Sequence, residues 1–150
     1  ETVTASSNGI VLERSLWRVV SNADGDFLQD IQSGAAPGVG DRVRVRLELS
    51  VPRAMEYVRL RDMWAAGLEP EDTGAGWRGG RFFNRGYYMV PGNSGMDFYF
   101  DRLEQGKVML EYDMYVQKSG AFQAGNAEVQ CMYSPDMRSA TASQTVTVNK

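Results

Sequence analysis

The run DRVRVRLELSV, residues 41–51, constrains this chain more than any other stretch. Val43, Val45, Leu47, Leu49 and Val51 share one parity, and Arg42, Arg44, Arg46, Glu48 and Ser50 share the other. A helix would scatter both sets around its circumference, whereas a strand sends successive side chains to opposite faces. The run therefore predicts a strand with one buried face and one wet face. KVMLEYDMYVQ, residues 107–117, repeats the pattern, with Val108, Leu110, Tyr112, Met114 and Val116 predicted inward. Shorter strands are expected around Phe98 and Phe100, around Val58 and Leu60, and around Val146 and Val148. The Asp24-Gly25 pair predicts a hairpin between GIVLERSLWRVV and DFLQDIQ. LEQG, residues 103–106, predicts a second hairpin that closes MDFYFDR onto 107–117. No helical period persists beyond a turn or two. The fold class expected is all-β, an antiparallel β-sandwich with one long Gly-rich loop.

That loop is AAGLEPEDTGAGWRGGRFFNRG, residues 65–86, which interrupts the strand rhythm. Loops of such length are commonly functional. Trp64, Trp77, Phe82 and Phe83 are the side chains expected to pin it to the sheet.

A chain of 150 residues is most simply one domain. It is long enough to bury a core without metal or disulfide staples. The formal net charge of -3 gives no footprint for nucleic acid or for an anionic membrane surface. No apolar run approaches the ~20 residues of a membrane span, so direct membrane insertion is not expected. The polar start ETVTASSNG, with no signal-peptide core, fits either a cytoplasmic protein or a piece of a longer exported one. Residues 1–9 are read as a linker and residues 10–150 as the domain.

The sequence holds no histidine and one cysteine. This excludes a Ser/His/Asp or Cys/His catalytic unit within the chain, a histidine-based zinc site and an internal disulfide. No cofactor or metal is expected. Gly74-Ala75-Gly76-Trp77-Arg78-Gly79 matches GxGxxG by letter, but an acidic stretch precedes it and an aromatic run follows, so the strand and helix a dinucleotide needs are missing. Asp97, Asp101, Glu111 and Asp113 are carboxylates of the kind a glycosidase pairs, but the alternation alone accounts for them as a solvated strand face opposite Phe98 and Phe100. Asp24-Gly25-Asp26 lacks the ligand count of a calcium loop and reads as a turn. Cys131 lies in AEVQCMY, in phase with Ala127, Val129 and Tyr133, and reads as a small apolar core residue.

Several segments, in order, resemble the C-terminal macroglobulin-like domain of bacterial alpha-2-macroglobulin family proteins. LERSLW (12–17) resembles the opening strand. GDRVRVRLELSVPRAMEYVRLRDMWAAGLEP (40–70) resembles the segment G-D-x-V-x-V … Y-V-x-x-x-D-x-x-P-A-G-x-E, with Ala65 where the family has proline. FYFDRLEQGKVMLEYDMYVQKSGAF (98–122) resembles the run ending Y-x-x-x-x-x-x-G-x-F/Y, and MYSPDM (132–137) resembles M-Y-x-P-E. The last segment is similar to a Bacteroidetes-type branch. The family's thioester motif Cys-x-x-Gln is not in this chain.

The resemblance implies a macroglobulin/immunoglobulin-like sandwich, non-catalytic, inside a large exported protein of the periplasm or cell envelope, often lipid-anchored, that inhibits proteases. It implies packing against the other domains of the parent chain, the helical thioester domain above all, with host or competitor proteases as the parent's targets. It places Met132 and Tyr133 at that contact, as a dry cover over the thioester. The alternation alone would instead turn Tyr133 into the domain's own core. A second reading is a free-standing carbohydrate- or protein-binding sandwich, with exposed Trp64, Trp77 and Phe82 as its platform.

Overall fold

The computed structural model of this chain describes residues 4–5, 9–31, 36–64, 66–71, 74, 76–78, 86–92, 94–141 and 144–148. These residues contain no α-helix. They form fourteen strands: β1 (Thr4–Ala5), β2 (Val11–Asn22), β3 (Gly25–Asp30), β4 (Arg42–Val51), β5 (Met55–Met63), β6 (Leu68–Pro70), β7 (Gly76–Arg78), β8 (Tyr87–Pro91), β9 (Gly95–Leu103), β10 (Gly106–Val116), β11 (Gly120–Ala124), β12 (Ala127–Cys131), β13 (Ser134–Thr141) and β14 (Gln144–Val148).

The strands make two facing sheets, ordered β1-β13-β12-β5-β9-β8-β7 and β3-β2-β4-β10-β6, with β11 and β14 as a separate pair. Every pairing is antiparallel. Within the stretch read as a linker, Thr4 and Ala5 pair with Thr141 and Ala140 of β13. The short strand β7 lies inside the Gly-rich loop. Phe82 and Phe83 are outside the described residues.

Alternation decides the core. On β4, Val43, Val45, Leu47, Leu49 and Val51 are all buried, and on β10 so are Val108, Leu110, Tyr112, Met114 and Val116. These strands pair over Leu47↔Leu110 and Val45↔Tyr112. Their outer faces carry matched charge, with Arg44 on Asp113 at 2.8 Å and Arg46 on Glu111 at 2.8 Å. Arg46 also lies over the Trp17 ring. From the other sheet, Phe98 and Phe100 of β9 meet Tyr87, and Phe98 meets Tyr112 across the interior. The expected hairpin at Asp24-Gly25 is present: Asn22 pairs with Gly25, and the Asn22 side chain accepts the Asp24 N–H at 2.8 Å.

The hairpin expected at 103–106 is not. β9 pairs with β5 and β8, whereas β10 pairs with β4 and β6. The chain crosses from one sheet to the other at this turn, because the charges and apolar faces that β10 complements lie on β4.

One polar group joins the sheets through the core. Arg14 of β2 and Asp62 of β5 are each 1% exposed. The Arg14 guanidinium donates to the Asp62 carboxylate and to the carbonyls of Met63 and Gly125. The Tyr112 hydroxyl donates to the other Asp62 oxygen. A buried ion pair is tolerable only when its remaining donors and acceptors find partners, and here they do.

Candidate functional site

Three exposed large side chains, Tyr57, Met132 and Tyr133, share one end of the larger sheet, while Phe27, Val39, Tyr99 and Tyr115 stand singly elsewhere. Met132 is 49% exposed and Tyr133 is 77% exposed. They are the whole loop between β12 and β13, since Cys131 pairs directly with Ser134. Two-residue hairpin loops usually need Gly or Asn at positive φ. Neither Met132 nor Tyr133 has positive φ. The strands adjust instead: Gln130 pairs with Arg138, so residues 135–137 bulge out of β13. Pro135 falls in that bulge, where its missing N–H costs no ladder bond.

The phase of the strand ends with this loop. Ala127, Val129 and Cys131 are buried as alternation requires, whereas Tyr133 is turned out to solvent. The reading that placed Tyr133 in the core fails because a turn, unlike a strand, does not preserve parity.

β5 supports the loop from beneath. The Met132 N–H donates to the Tyr57 carbonyl at 2.8 Å, and the Cys131 thiol donates to the Glu56 carbonyl at 3.4 Å. The Tyr57 ring meets the Tyr133 ring edge-on, with centroids 5.0 Å apart. Beside them Arg53, Met55, Glu56, Arg102, Cys131 and Tyr133 line a shallow groove of about 250 Å³. The arrangement is an apolar, aromatic projection on a firm base. It can fill a hollow and exclude water from it, and its phenol oxygens can each make a hydrogen bond.

The family model for the bacterial alpha-2-macroglobulin MG10 domain matches residues 9–136. The chain belongs to this family. Solved structures agree in fold. The native conformation of E. coli alpha-2-macroglobulin superposes with TM-score 0.75 at 19% identity, covering 99% of this chain and 10% of that one. A mutant of Salmonella alpha-2-macroglobulin gives TM-score 0.74 at 21% identity, over 98% of this chain and 10% of that one. The E. coli fragment from domain MG7 to the C-terminus gives 0.70 at 20% identity, over 98% and 24%. The chain thus spans a small part of the proteins it resembles. No curated protein sequence matches it significantly.

As a macroglobulin domain, the MG10 chain is non-catalytic. Of the four carboxylates Asp97, Asp101, Glu111 and Asp113, Asp101 is exposed and the other three are held by arginines. Asp97 accepts two hydrogen bonds from Arg61, at 2.8 and 3.0 Å, and Glu111 and Asp113 are held by Arg46 and Arg44 on the other sheet. The Ser21 hydroxyl donates to Asp26, and this bond foremost, with Arg42 and Arg44, lowers the Asp26 pKa against an opposing effect of desolvation. Among the described residues no group of three His, Cys, Asp or Glu side chains is placed to hold a metal ion.

Of the three platform aromatics, the Trp64 side chain alone lies among the described residues. Trp64 is half-buried and packs against the core rather than standing exposed. Trp77 lies on β7 opposite Tyr88, with its side chain outside the described residues, as is all of Phe82. Two features of the MG10 domain escaped the sequence reading. The Arg14–Asp62 pair had a signal: Arg14 is in phase with Leu12 and Leu16, and Asp62 with Val58 and Leu60. Tyr57 had none.

Proposed function

We propose that this MG10 domain is a docking and shielding module of a larger alpha-2-macroglobulin-like chain. Its Met132–Tyr133 projection seats against the helical thioester-type domain of the same chain and keeps the reactive bond dry until a protease acts. The parent inhibits host or competitor proteases at the cell envelope. The observation that carries this is the exposure of two adjacent large side chains at a hairpin end that β5 holds in place. Isolated exposed apolar residues are ordinary; a supported aromatic cluster is a surface shaped for contact.

The relatives' behaviour supports the same reading. E. coli alpha-2-macroglobulin is activated by porcine elastase and by trypsin, and the Salmonella protein reacts with methylamine. A thioester carbonyl is open to attack by water and by small amines, so its survival depends on a cover. A thioether and a phenol ring supply apolar area, and the phenol O–H supplies one hydrogen bond at the rim.

The test uses the full parent chain. Tyr133→Ala and Met132→Ala are compared with the unaltered protein for thiol release by methylamine before any protease is added. Each truncation forfeits about 1.5–3 kcal/mol of apolar burial at the contact, which corresponds to roughly 10- to 150-fold faster release when closure is limited by that contact. An unchanged release rate in both variants refutes the shielding role.

A further inference from the structure

We infer that Tyr57 is the positioning residue of the projection: its left-handed backbone and its ring together aim Tyr133 outward. The inference rests on the docking role just proposed, but its structural content can be judged without it. Tyr57 is the one described non-glycine residue with positive φ, at 57°. A bulky side chain disfavours that region, which glycine and asparagine occupy at lower cost. Strain of this kind persists where the surroundings impose it, and it gathers at functional positions.

The surroundings are specific. The β5–β9 ladder records Glu56↔Arg102 and Val58↔Phe100 and skips the position between them. The buried residues on either side, Met55 and Val58 on β5, Phe100 and Leu103 on β9, are three apart instead of two. Both strands therefore switch faces at this kink. The kink presents two consecutive carbonyls to the residues that lead into the projection: Glu56 to the Cys131 thiol, and Tyr57 to the Met132 N–H. The Tyr57 ring, 48% exposed, then stands where the Tyr133 ring meets it edge-on. A smaller residue satisfies the backbone equally well. What tyrosine adds is the wall against which Tyr133 leans.

Tyr57→Asn keeps a residue that tolerates left-handed φ and removes the ring; Tyr57→Phe keeps the ring. In the 150-residue chain, proton NMR reads the Tyr133 ring directly, because the Tyr57 ring current displaces its proton resonances. The Asn variant is expected to return those protons to free-tyrosine positions at an unchanged melting temperature, and the Phe variant to keep them displaced. In the parent chain, Tyr57→Asn is expected to raise methylamine-driven thiol release as Tyr133→Ala does, with Tyr57→Phe at the unaltered rate. If Tyr133→Ala speeds release and Tyr57→Asn does not, the positioning role is wrong and the shield stands. If Tyr133→Ala has no effect while the Asn variant still frees the ring, the shield is wrong and the positioning stands. A Tyr133 ring unmoved by Tyr57→Asn overturns the inference. Should the Asn variant not fold, Tyr57→Gly, which has no side chain to strain at this φ, takes its place in both comparisons.

Discussion

Asp62 gathers polar groups from the facing sheet into one buried cluster. It faces Arg14 from the opposite sheet and receives the Tyr112 hydroxyl. Burial foremost, then the Asp62 charge and the hydrogen bond to it, push the Tyr112 phenol well above its ordinary value, with Arg14 opposing. Ionised Tyr112 is thus disfavoured in the folded chain relative to the unfolded one. Below about pH 10 both states keep the proton and the contribution of Tyr112 is intact. As pH rises past that value the unfolded state loses its proton first, so stability falls. Tyr112→Phe should cost about 1–3 kcal/mol near neutral pH, by leaving an Asp62 oxygen short of a donor. The gap between the two proteins should then narrow by about 1.4 kcal/mol per pH unit above pH 10, measured by urea unfolding. A gap that stays constant to high pH would show that Tyr112 is not held neutral by the fold.

Among the elements, those governed by a local rule were legible in the sequence. β4 and β10 alternate strictly along their length, so their buried faces could be named residue by residue, and the β2–β3 hairpin announced itself through Asp24-Gly25. The sheet assignment of β10 was not legible. LEQG reports that the chain turns, but Arg44–Asp113 and Arg46–Glu111, which fix the partner, are 69 and 65 residues apart in sequence. The projection was half legible: resemblance named Met132 and Tyr133, whereas alternation misplaced Tyr133, and nothing marked Tyr57. Packing between elements was likewise hidden. Gly67, which leads into β6, has no room for a methyl group, since a Cβ there would lie 2.6 Å from the Phe122 ring of β11. Gly67→Ala should destabilise the chain by about 1–3 kcal/mol through overpacking. Adding Phe122→Leu should recover part of that loss in a double-mutant cycle. Strict additivity would mean that the two residues do not meet.

The whole molecule is a sandwich whose long-range pairings outweigh its local ones. β4 pairs with β10, β5 with β9 and β12, and β1 with β13, so each half of the sequence supplies strands that the other half flanks. Such a topology folds slowly for its size, because distant segments must meet before any ladder rewards them. It also has a counterpart after folding. A single break in the chain between β7 and β8 leaves an amino-terminal piece with β1–β7 and a carboxy-terminal piece with β8–β14, interleaved in both sheets. Co-expressed as residues 1–80 and 81–150, the two pieces should elute together from a sizing column, and neither alone should give a cooperative melt. Separate elution would show that the ladders do not suffice. A module built this way is expected to keep its shape when nicked, a useful property in a protein whose relatives are activated by elastase and trypsin.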